Sequence, residues 1–364
     1  MSRAIYRIAA MSSRRPPIAG RFTAEEVALA ARNRGMPLEA LRYDVTPAGL
    51  HYLLIHFDIP AAEESAWRLE FSGLFDQRAS LGLDDIRRLP AKTLRVTMEC
   101  AGNGRAQISP RYPSVPWIEE GVSTADWTGV ALADLLPRLR PDATELVFHG
   151  ADRGVDAGIE HHFARSLPRK EALRPEVIVA YAMNGAPLPP QHGAPLRLVV
   201  PGWYGMASVK WLRAVEAAAR PFEGLQQARS YHFRRSAGEK GEPCTLMRVN
   251  SLMVPPGIPD FYSRRRIVSA GAIEIIGRAW SGGTPIKAVE FAVDGRWQGV
   301  GVVSQREPHS WALWKTVWNA APGQYELACR ATDAAGHVQP LEPPWDVTGF
   351  GNNGVQRVHV TVLP

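Results

Sequence analysis

Short apolar segments that favour strands mix with short segments that favour helices in the first two thirds of the chain, and this pattern predicts an α+β fold. The predicted strands cover residues 51–59, 67–71, 93–98, 146–149, 177–181 and 196–200. Three segments favour helices, namely residues 23–34, 83–88 and 131–139. The first of these begins with the capping-box pattern Thr23-x-x-Glu26. No regular alternation of strands and helices indicates a doubly wound parallel sheet.

The last third of the chain has a different pattern, with closely spaced strands separated by turn residues. The predicted strands cover residues 272–276, 286–293, 311–318, 325–331 and 355–362. This spacing predicts a β-sandwich of about 110 residues. A polar stretch containing glycine and proline, residues 238–243, is the best linker candidate. We therefore expect an N-terminal extension (1–45), an irregular α+β domain (46–243) and a β-sandwich domain (244–364), the two domains each having a core.

Composition and charge narrow the possible partners. The 364 residues are 45% hydrophobic and 21% charged, and no run approaches the roughly 20 apolar residues that span a bilayer. The net charge is +6, but the arginines are scattered and no nucleic-acid-binding motif accompanies them. An anionic small molecule explains local basic patches better than nucleic acid does. Arg14-Arg15 is followed by two prolines and no apolar segment, which is not an export signal and predicts a cytoplasmic protein.

Cys100 is the most informative of the three cysteines, which are too few and too irregularly spaced for a disulfide framework. A predicted strand delivers it into a loop of glycine and asparagine, and Arg105 follows. A nearby cation is expected to lower the thiol pKa and favour the thiolate, which is the form that binds metal. This arrangement suits a single metal–sulfur bond, although a buried structural thiol is the alternative for any lone cysteine.

The segment Glu-Cys-Ala-Gly-Asn-Gly-Arg at 99–105 resembles the cysteine loop of the sulfite oxidase family, in which this cysteine ligates molybdenum. Three further segments, residues 123–136, 183–197 and 200–211, resemble later blocks of the same family and occur in the family's order. The resemblance extends from about residue 45 to the C-terminus. It implies a molybdopterin-binding domain followed by an immunoglobulin-like dimerisation domain, and hence a homodimer. No C-x-x-C-H motif is present and nothing resembles the haem segment of animal sulfite oxidases, so we expect no haem.

The resemblance also assigns site residues. Cys100 corresponds to the metal ligand, and a soft thiolate suits a metal that already carries the pterin sulfurs. His56 and Trp117 correspond to further active-site residues. The positions that correspond to cofactor contacts are His56, Asn103, Arg105, Asp152, His192, Arg197, Ser208, Val209 and Lys210. For two of these a plainer structural role stays open, since Arg197 could form a salt bridge and Asp152 could close a turn.

Three positions depart from the family's anion pocket. Leu54 and Thr348 stand where the family has arginines, and Phe163 stands where it has a tyrosine. Because a desolvated dianion such as sulfite requires paired charge, these changes argue against sulfite as a good substrate. The nearby basic residues His161, His162 and Arg165 are candidates to compensate in part.

The sequence therefore predicts an enzyme that moves an oxygen atom between a molybdenum centre and a small substrate, with two electrons exchanged with an external acceptor or donor. Three alternatives stay open. The first is a true sulfite oxidase or dehydrogenase, the second is a reductase of S-oxides or N-oxides, and the third is an inactive cofactor-binding or interaction protein.

Overall fold

The computed structural model describes residues 22–300 and 302–364. The Arg14-Arg15 pair and the first 21 residues of the predicted N-terminal extension lie outside these residues. Among the helices of the described ranges, none has the length and apolar character needed to cross a bilayer.

The helices are few and short. In chain order the α-helices are α1 Ala24–Arg32, α2 Leu83–Arg87, α3 Leu132–Leu135 and α4 Arg169–Ala172. The predicted capping box at α1 is confirmed, because the Glu26 N–H donates to Thr23 Oγ1 (3.2 Å) and the Thr23 N–H donates to the Glu26 carboxylate (2.8 Å). Single turns of 3₁₀-helix occupy Leu38–Arg42, Ala48–Leu50, Glu64–Ala66, Arg105–Gln107, Pro190–His192 and Gly205–Ala207, and Gln226–Ser230 forms a π-turn.

Strands make up most of the regular structure, which confirms a strand-rich α+β fold. The first twelve are β1 Arg68–Gly73, β2 Ala79–Gly82, β3 Ala91–Glu99, β4 Val122–Ala131, β5 Glu145–Asp156, β6 Ile159–Pro168, β7 Ile178–Met183, β8 Ala186–Pro187, β9 Arg197–Val199, β10 Leu212–Ala218, β11 His232–Phe233 and β12 Glu242–Pro243. The remaining ten are β13 Asn250–Met253, β14 Ile258–Pro259, β15 Arg266–Ser269, β16 Gly271–Trp280, β17 Ile286–Val293, β18 Arg296–Val300, β19 Val302–Ser304, β20 Ala312–Ala320, β21 Gly323–Asp333 and β22 Gln356–Leu363.

The part of the chain before about residue 220 contains two sheets. One has the order β2-β1-β10-β5-β6, with β1 and β10 parallel and the other pairs antiparallel. The other has the order β3-β4-β7-β8, with β9 also paired to β7. The sequence segment of the cysteine loop begins where β3 ends, and the basic residues at 197 and 210 lie at the starts of β9 and β10. The two sheets thus bring distant segments to a common edge.

The C-terminal part is a β-sandwich, as the strand spacing predicts. A four-stranded sheet (β13-β16-β20-β19) packs on a six-stranded sheet (β14-β15-β22-β21-β17-β18). Phe291, Trp314 and Leu327 lie between them and are fully buried. The sandwich therefore has its own core.

A second and larger core crosses from the N-terminal sheets into the sandwich. It joins Phe148 and Leu198 of the first part with Leu252, Trp280 and other apolar side chains of the second. The two parts consequently pack on one another through continuous apolar contacts rather than through a thin polar interface.

Three local predictions are wrong. Residues 51–59 do not form a strand, because their backbone groups bond to single partners: Leu53 pairs with Arg34 in one bridge, and the Ile55 N–H donates to the Asn33 side chain. The helix predicted at 131–139 ends at Leu135, since Pro137 disfavours helical backbone at the residue before it. Part of the predicted linker is ordered, because β12 pairs with β11.

Candidate active site

The cysteine loop is closed by backbone and side-chain hydrogen bonds at the end of β3. The Cys100 N–H donates to the Gly121 carbonyl (2.8 Å), and the Asn103 N–H donates to the Cys100 carbonyl (2.9 Å). The Asn103 side chain then accepts the Gly121 N–H (2.9 Å). Gly102 is required here because a Cβ atom at this position would lie 2.5 Å from the guanidinium of Arg105. The loop therefore holds Cys100 on a fixed backbone.

Arg105 is a buried cation that interacts electrostatically with Cys100. Its guanidinium donates to the carbonyls of Thr348 (2.8 Å) and Val115 (3.1 Å) and lies over the ring of Phe350. Burial raises the pKa of the Cys100 thiol, while Arg105, the Gly102 N–H and the indole of Trp117 lower it. Arg105 thus lowers the thiol pKa as expected, but burial outweighs it and the net direction is upward for the chain alone. A metal or another cation beside the sulfur would stabilise the deprotonated form of Cys100.

Cys100 lines a cavity that contains about 60 Å³ of space for water-sized molecules. Seven of the residues that the sequence singles out line it together, namely His56, Cys100, Asp152, His192, Arg197, Ser208 and Lys210. They come from five separate stretches of chain, which the two N-terminal sheets bring together. A concave site with several convergent polar groups is typical of small-molecule and cofactor sites.

Arg197 is a buried cation in this cavity. Its guanidinium donates to the carbonyls of His192 (3.1 Å) and Ser208 (3.2 Å) and lies over the ring of Trp127. Its Nε has no hydrogen-bond partner in the part of the chain that the structure describes, and it forms no ion pair there. Burial lowers its pKa to about 10. The salt bridge considered as its structural alternative is therefore not formed.

Lys210 is a second cation on the same wall, and its side chain is partly buried. Its ammonium donates to the carbonyls of Leu54 (2.8 Å) and Gln191 (3.1 Å) and lies over the ring of Trp211. Burial lowers its pKa to about 7, Arg197 lowers it further, and Asp152 opposes the shift. Burial likewise raises the pKa of Asp152 to about 6, against the influence of Lys210.

His192 and Ser208 complete this end of the cavity. Burial lowers the pKa of His192 to about 2, with further contributions from the neighbouring His51 and the two cations, so the imidazole is neutral. The rings of His51 and His192 meet edge to face at 5.1 Å. Ser208 Oγ accepts the Val200 N–H (3.1 Å), and this bond fixes the hydroxyl beside the cavity.

His56 lies at the opposite end of the cavity, beside two aromatic rings. Its Nε2 lies 2.8 Å from the phenolic oxygen of Tyr231, and its ring stacks on Phe163 at 4.9 Å. Burial lowers the pKa of His56 to about 4, and Lys210 and Arg165 lower it further. Tyr231 thus supplies a phenol beside His56, although Phe163 occupies the position where the family has its tyrosine.

Four of the assigned residues do not line the cavity. Asn103 and Arg105 direct their polar atoms into the cysteine loop and its surroundings. Val209 is a core residue whose carbonyl accepts the Leu198 N–H (2.8 Å). Trp117 is buried behind Tyr52, with the two rings edge to face at 6.3 Å. These residues support the loop and walls of the site.

The three positions expected to depart from the family pattern, and the three basic residues expected to compensate for them, lie in different places. Leu54 and Phe163 line the cavity, whereas Thr348 does not, and its hydroxyl donates to Asp346 (2.7 Å). His161 and His162 line a neighbouring cavity. Arg165 is buried between the two cavities, with its guanidinium over the ring of Tyr231 and a hydrogen bond to the Gln226 carbonyl.

Glu99 is the most important residue that the sequence reasoning missed. It is fully buried and accepts three hydrogen bonds, from Asn103 (3.0 Å), Asn250 (3.1 Å) and Trp280 (3.0 Å). Burial raises its pKa to about 7, and these three donors oppose that shift. Asn250 and Trp280 belong to the β-sandwich, so Glu99 joins the cysteine loop to the second part of the chain. Its only sequence signal is a charged residue at the end of an otherwise buried strand.

The chemistry of this cavity fits a sulfur-ligated metal carried by an anionic cofactor. Among the residues that the structure describes, Arg197 is buried and forms no ion pair, while Asp152 lies near the partly buried Lys210 and opposes the fall in its pKa. A buried cation such as Arg197 is costly unless an anion joins it. Within residues 22–300 and 302–364, no three His, Cys, Asp or Glu side chains cluster as a ligand set. A metal held here would therefore take Cys100 as its protein ligand and its other ligands from the cofactor.

Two family models match the chain. The oxidoreductase molybdopterin binding domain matches residues 56–226, and the Mo-co oxidoreductase dimerisation domain matches residues 243–363.

Sequence relatives and a solved structure agree with these models. Human mitochondrial sulfite oxidase is 32% identical over 346 residues, which covers 88% of this chain and only 62% of the human protein. Sulfite oxidase of Gallus gallus is 32% identical over 334 residues, covering 84% of this chain and 70% of the relative. The crystal structure of the sulfane dehydrogenase SoxCD from Paracoccus pantotrophus superposes with a TM-score of 0.79 and 24% identity, covering 95% of this chain and 93% of that one, and shows the same fold. On the strength of the Gallus gallus match and the two family models, the chain belongs to the sulfite oxidase family of molybdenum-cofactor oxidoreductases.

Proposed function

We propose that this chain is a molybdopterin-dependent oxidoreductase that transfers an oxygen atom between a molybdenum centre and a small substrate, and that sulfite is a poor substrate for it. The observation that carries the proposal is the presence in one cavity of the Cys100 thiol, of Arg197 buried without an ion pair among the described residues, and of Lys210. An interaction module without a cofactor has no use for such an arrangement.

The cavity walls suggest how the cofactor would be held. Arg197 and Lys210 would bind its phosphate, and Ser208 would add a hydroxyl beside them. Asp152 and the neutral His192 offer hydrogen-bonding groups for the pterin ring. Cys100 would ligate the metal. When bound, the molybdenum centre would supply two-electron redox chemistry and oxygen-atom transfer.

The remaining residues would position substrate and protons. His56 is neutral at pH 7 because burial lowers its pKa to about 4, so its ring offers one donor and one acceptor. Its hydrogen bond to Tyr231 fixes the ring orientation and leaves the pair able to hold a proton near the substrate. Leu54 and Phe163 contribute apolar walls that exclude water.

The composition of these walls supports the substrate proposal. Leu54 places an aliphatic side chain where the family has a guanidinium, and Thr348 directs its hydroxyl to Asp346. Losing one partner of a buried charge pair typically costs ~2–5 kcal/mol. Because two such arginines are replaced, sulfite capture should be weaker by at least about a hundredfold even after partial compensation by nearby basic residues, at ~1.4 kcal/mol per decade.

The test is metal and pterin analysis of the full chain expressed in a host that makes the cofactor. We expect about one molybdenum and one pterin per chain, and loss of turnover in Cys100→Ser. Cys244→Ser is the matched control, because Cys244 is equally buried but does not line the cavity. A metal-free wild-type protein would refute the proposal.

A steady-state screen of sulfite, less charged sulfur compounds, S-oxides and N-oxides would then identify the substrate and the direction of catalysis. Artificial electron donors and acceptors stand in for the external redox partner. A sulfite KM in the low micromolar range would refute the substrate part alone.

Three further expectations belong with this proposal. We infer a homodimer, supported by the match to the dimerisation domain, and light scattering tests it. The absence of haem stays a prediction that the visible spectrum of the purified protein tests. The cytoplasmic location predicted from the sequence stays a prediction that cell fractionation tests.

A further inference from the structure

One wall of the Cys100 cavity is held in place from outside the cavity. Leu53, Leu54 and His56 line this wall, and residues 53–57 are here named the wall segment. The wall segment belongs to none of the strands in the part of the chain that the structure describes, so no sheet fixes it. Its position therefore depends on individual hydrogen bonds.

Residues 32–34, here named the support segment, hold both ends of the wall segment. Arg34 and Leu53 exchange two backbone hydrogen bonds, of 2.7 and 3.0 Å. At the other end, the guanidinium of Arg32 donates to the Phe57 carbonyl. The two segments thus lie side by side and run in opposite directions.

Asn33 holds the middle of the wall segment with its side chain. Its Oδ1 accepts the Ile55 N–H (2.6 Å), and its amide nitrogen donates to the Leu29 carbonyl in the last turn of α1 (2.9 Å). Because one contact needs an acceptor and the other needs a donor, an asparagine amide satisfies both. Asn33 is only 5% exposed, so losing its side chain would leave the Ile55 N–H without a partner.

The support segment is itself anchored on both sides. Before it, Glu26 of α1 forms a buried ion pair with Arg111 (2.7 Å). After it, the Met36 N–H donates to the Glu120 carbonyl (2.8 Å). A segment that is fixed on both sides can in turn fix the wall segment.

The wall segment also contacts groups with proposed roles in the reaction. The Leu54 carbonyl accepts a hydrogen bond from the Lys210 ammonium (2.8 Å), and His56 Nε2 lies 2.8 Å from the phenolic oxygen of Tyr231. A shift of the wall segment would therefore alter the substrate side of the cavity and the position of Lys210 together.

We propose that Asn33 is a positioning residue for the reaction at Cys100, and that it acts by holding the wall segment in place. This role rests on the proposed function, because it takes the cavity as the place where the substrate reacts. The support segment lies outside residues 56–226 and 243–363, the ranges that the two family models match. A displacement of about 1 Å caused by a distant residue can lower a rate about a hundredfold, so Asn33 can set the rate without touching the substrate.

Hydrogen–deuterium exchange of the full chain tests the structural step, with and without bound cofactor. Asn33→Ala should raise the exchange rates of the Leu53 and Ile55 amides by about tenfold, because Ile55 loses its acceptor and the adjacent bridge loses its support. Arg32→Ala should raise them by about threefold, since it removes only the bond to the Phe57 carbonyl. Arg32 is exposed, so this variant tests the same step if Asn33→Ala does not fold.

Thr23→Ala is the matched control. It removes the acceptor of the Glu26 N–H at the first turn of α1, at the end of the helix away from Asn33. The variant should lower the melting temperature, as Asn33→Ala does, because both remove a cap of the same helix. It should leave exchange in the wall segment unchanged.

Steady-state kinetics, normalised to bound molybdenum, test the functional step with the substrate found in the screen. Asn33→Ala should lower kcat/KM by at least about tenfold, Arg32→Ala by about threefold and Thr23→Ala by less than about twofold. A merely structural role would lower the melting temperature or the molybdenum content and leave kcat/KM per molybdenum unchanged.

The opposing outcomes separate this role from the proposed function. Exchange rates that match the wild type in both support-segment variants would refute the structural step. Faster exchange with an unchanged kcat/KM, or an equal loss of kcat/KM in Thr23→Ala, would overturn the positioning role while the proposed function stands. If the wild type binds no molybdenum, the proposed function fails and the positioning role fails with it, whereas the exchange results still decide the structural step.

Discussion

Replacing Glu99 by glutamine should destabilise the protein although the two side chains have nearly the same shape. The carboxylate accepts from Asn103, Asn250 and Trp280, and all three of these partners are donors. A glutamine has one acceptor oxygen, so its amide nitrogen must face at least one N–H. If the amide oxygen keeps the two asparagine bonds, the indole N–H of Trp280 and the new amide hydrogens lose their partners.

The expected loss of stability follows from the hydrogen-bond donors that are left without partners. A buried donor left without a partner costs ~1–3 kcal/mol, so Glu99→Gln should lower the free energy of unfolding by about 2–4 kcal/mol. At roughly 2 °C per kcal/mol, the low end expected for a large domain, the melting temperature should fall by about 4–8 °C. Thermal unfolding of the cofactor-loaded protein measures this, and Glu63→Gln at an exposed position is the matched control.

A double-mutant cycle isolates the proposed cause. Trp280→Phe removes the N–H that the glutamine amide would face, so the double variant should be more stable than the sum of the single effects predicts, by about 1–2 kcal/mol. A melting temperature of Glu99→Gln within 1 °C (roughly 0.5 kcal/mol) of the wild type would refute the reasoning. Strict additivity in the cycle would show that the loss does not arise from the donor conflict.

Three further predictions concern the cavity. Cys100→Ser should keep the fold and abolish turnover, because an alkoxide is a harder and poorer donor to this metal than a thiolate; a tenth of wild-type activity in steady-state assays would contradict this. Leu54→Arg with Thr348→Arg should lower the sulfite KM, and Leu54→Arg should carry most of the effect because only Leu54 lines the cavity; an unchanged KM would count against the placement of these positions. The pKa of Lys210 is lowered to about 7 by burial and by Arg197, against 10.5 in the unfolded chain, so the folded cofactor-free protein binds fewer protons between these values. Its free energy of unfolding should therefore rise with pH from 7 towards 10 in urea titrations, and Lys210→Met should flatten the rise; identical slopes would show that Lys210 is not the cause.

Local sequence signals predicted the parts of the molecule that depend on local physics. The capping box at Thr23 and Glu26 needs only residues three apart, and it forms. The glycine–asparagine loop after β3 likewise follows from neighbouring residues. Pro137 is also a local signal for the end of a helix, and the prediction of a helix over 131–139 did not take it into account.

The predictions failed for features that depend on residues distant in the sequence. The pattern at 51–59 predicts a strand, but consecutive residues of this segment line the cavity, and its backbone bonds to distant groups such as the Lys210 ammonium and the Asn33 amide. Arg105 lowers the pKa of Cys100 as expected, but the burial that outweighs it depends on tertiary packing and cannot be read from the sequence. Glu99 was missed because its partners Asn250 and Trp280 lie 151 and 181 positions further along the chain.

This last separation has a consequence for the order of events during synthesis. The loop that presents Cys100 reaches its final hydrogen bonding only when Asn250 and Trp280 have been added and β13 and β16 have paired. At ~5–20 residues per second, the ribosome adds those 181 residues in roughly 10–40 s after Glu99. During that interval the nascent chain carries an exposed cysteine without its finished loop. Any ligand that requires the complete Cys100 cavity can therefore enter only after translation has passed β16.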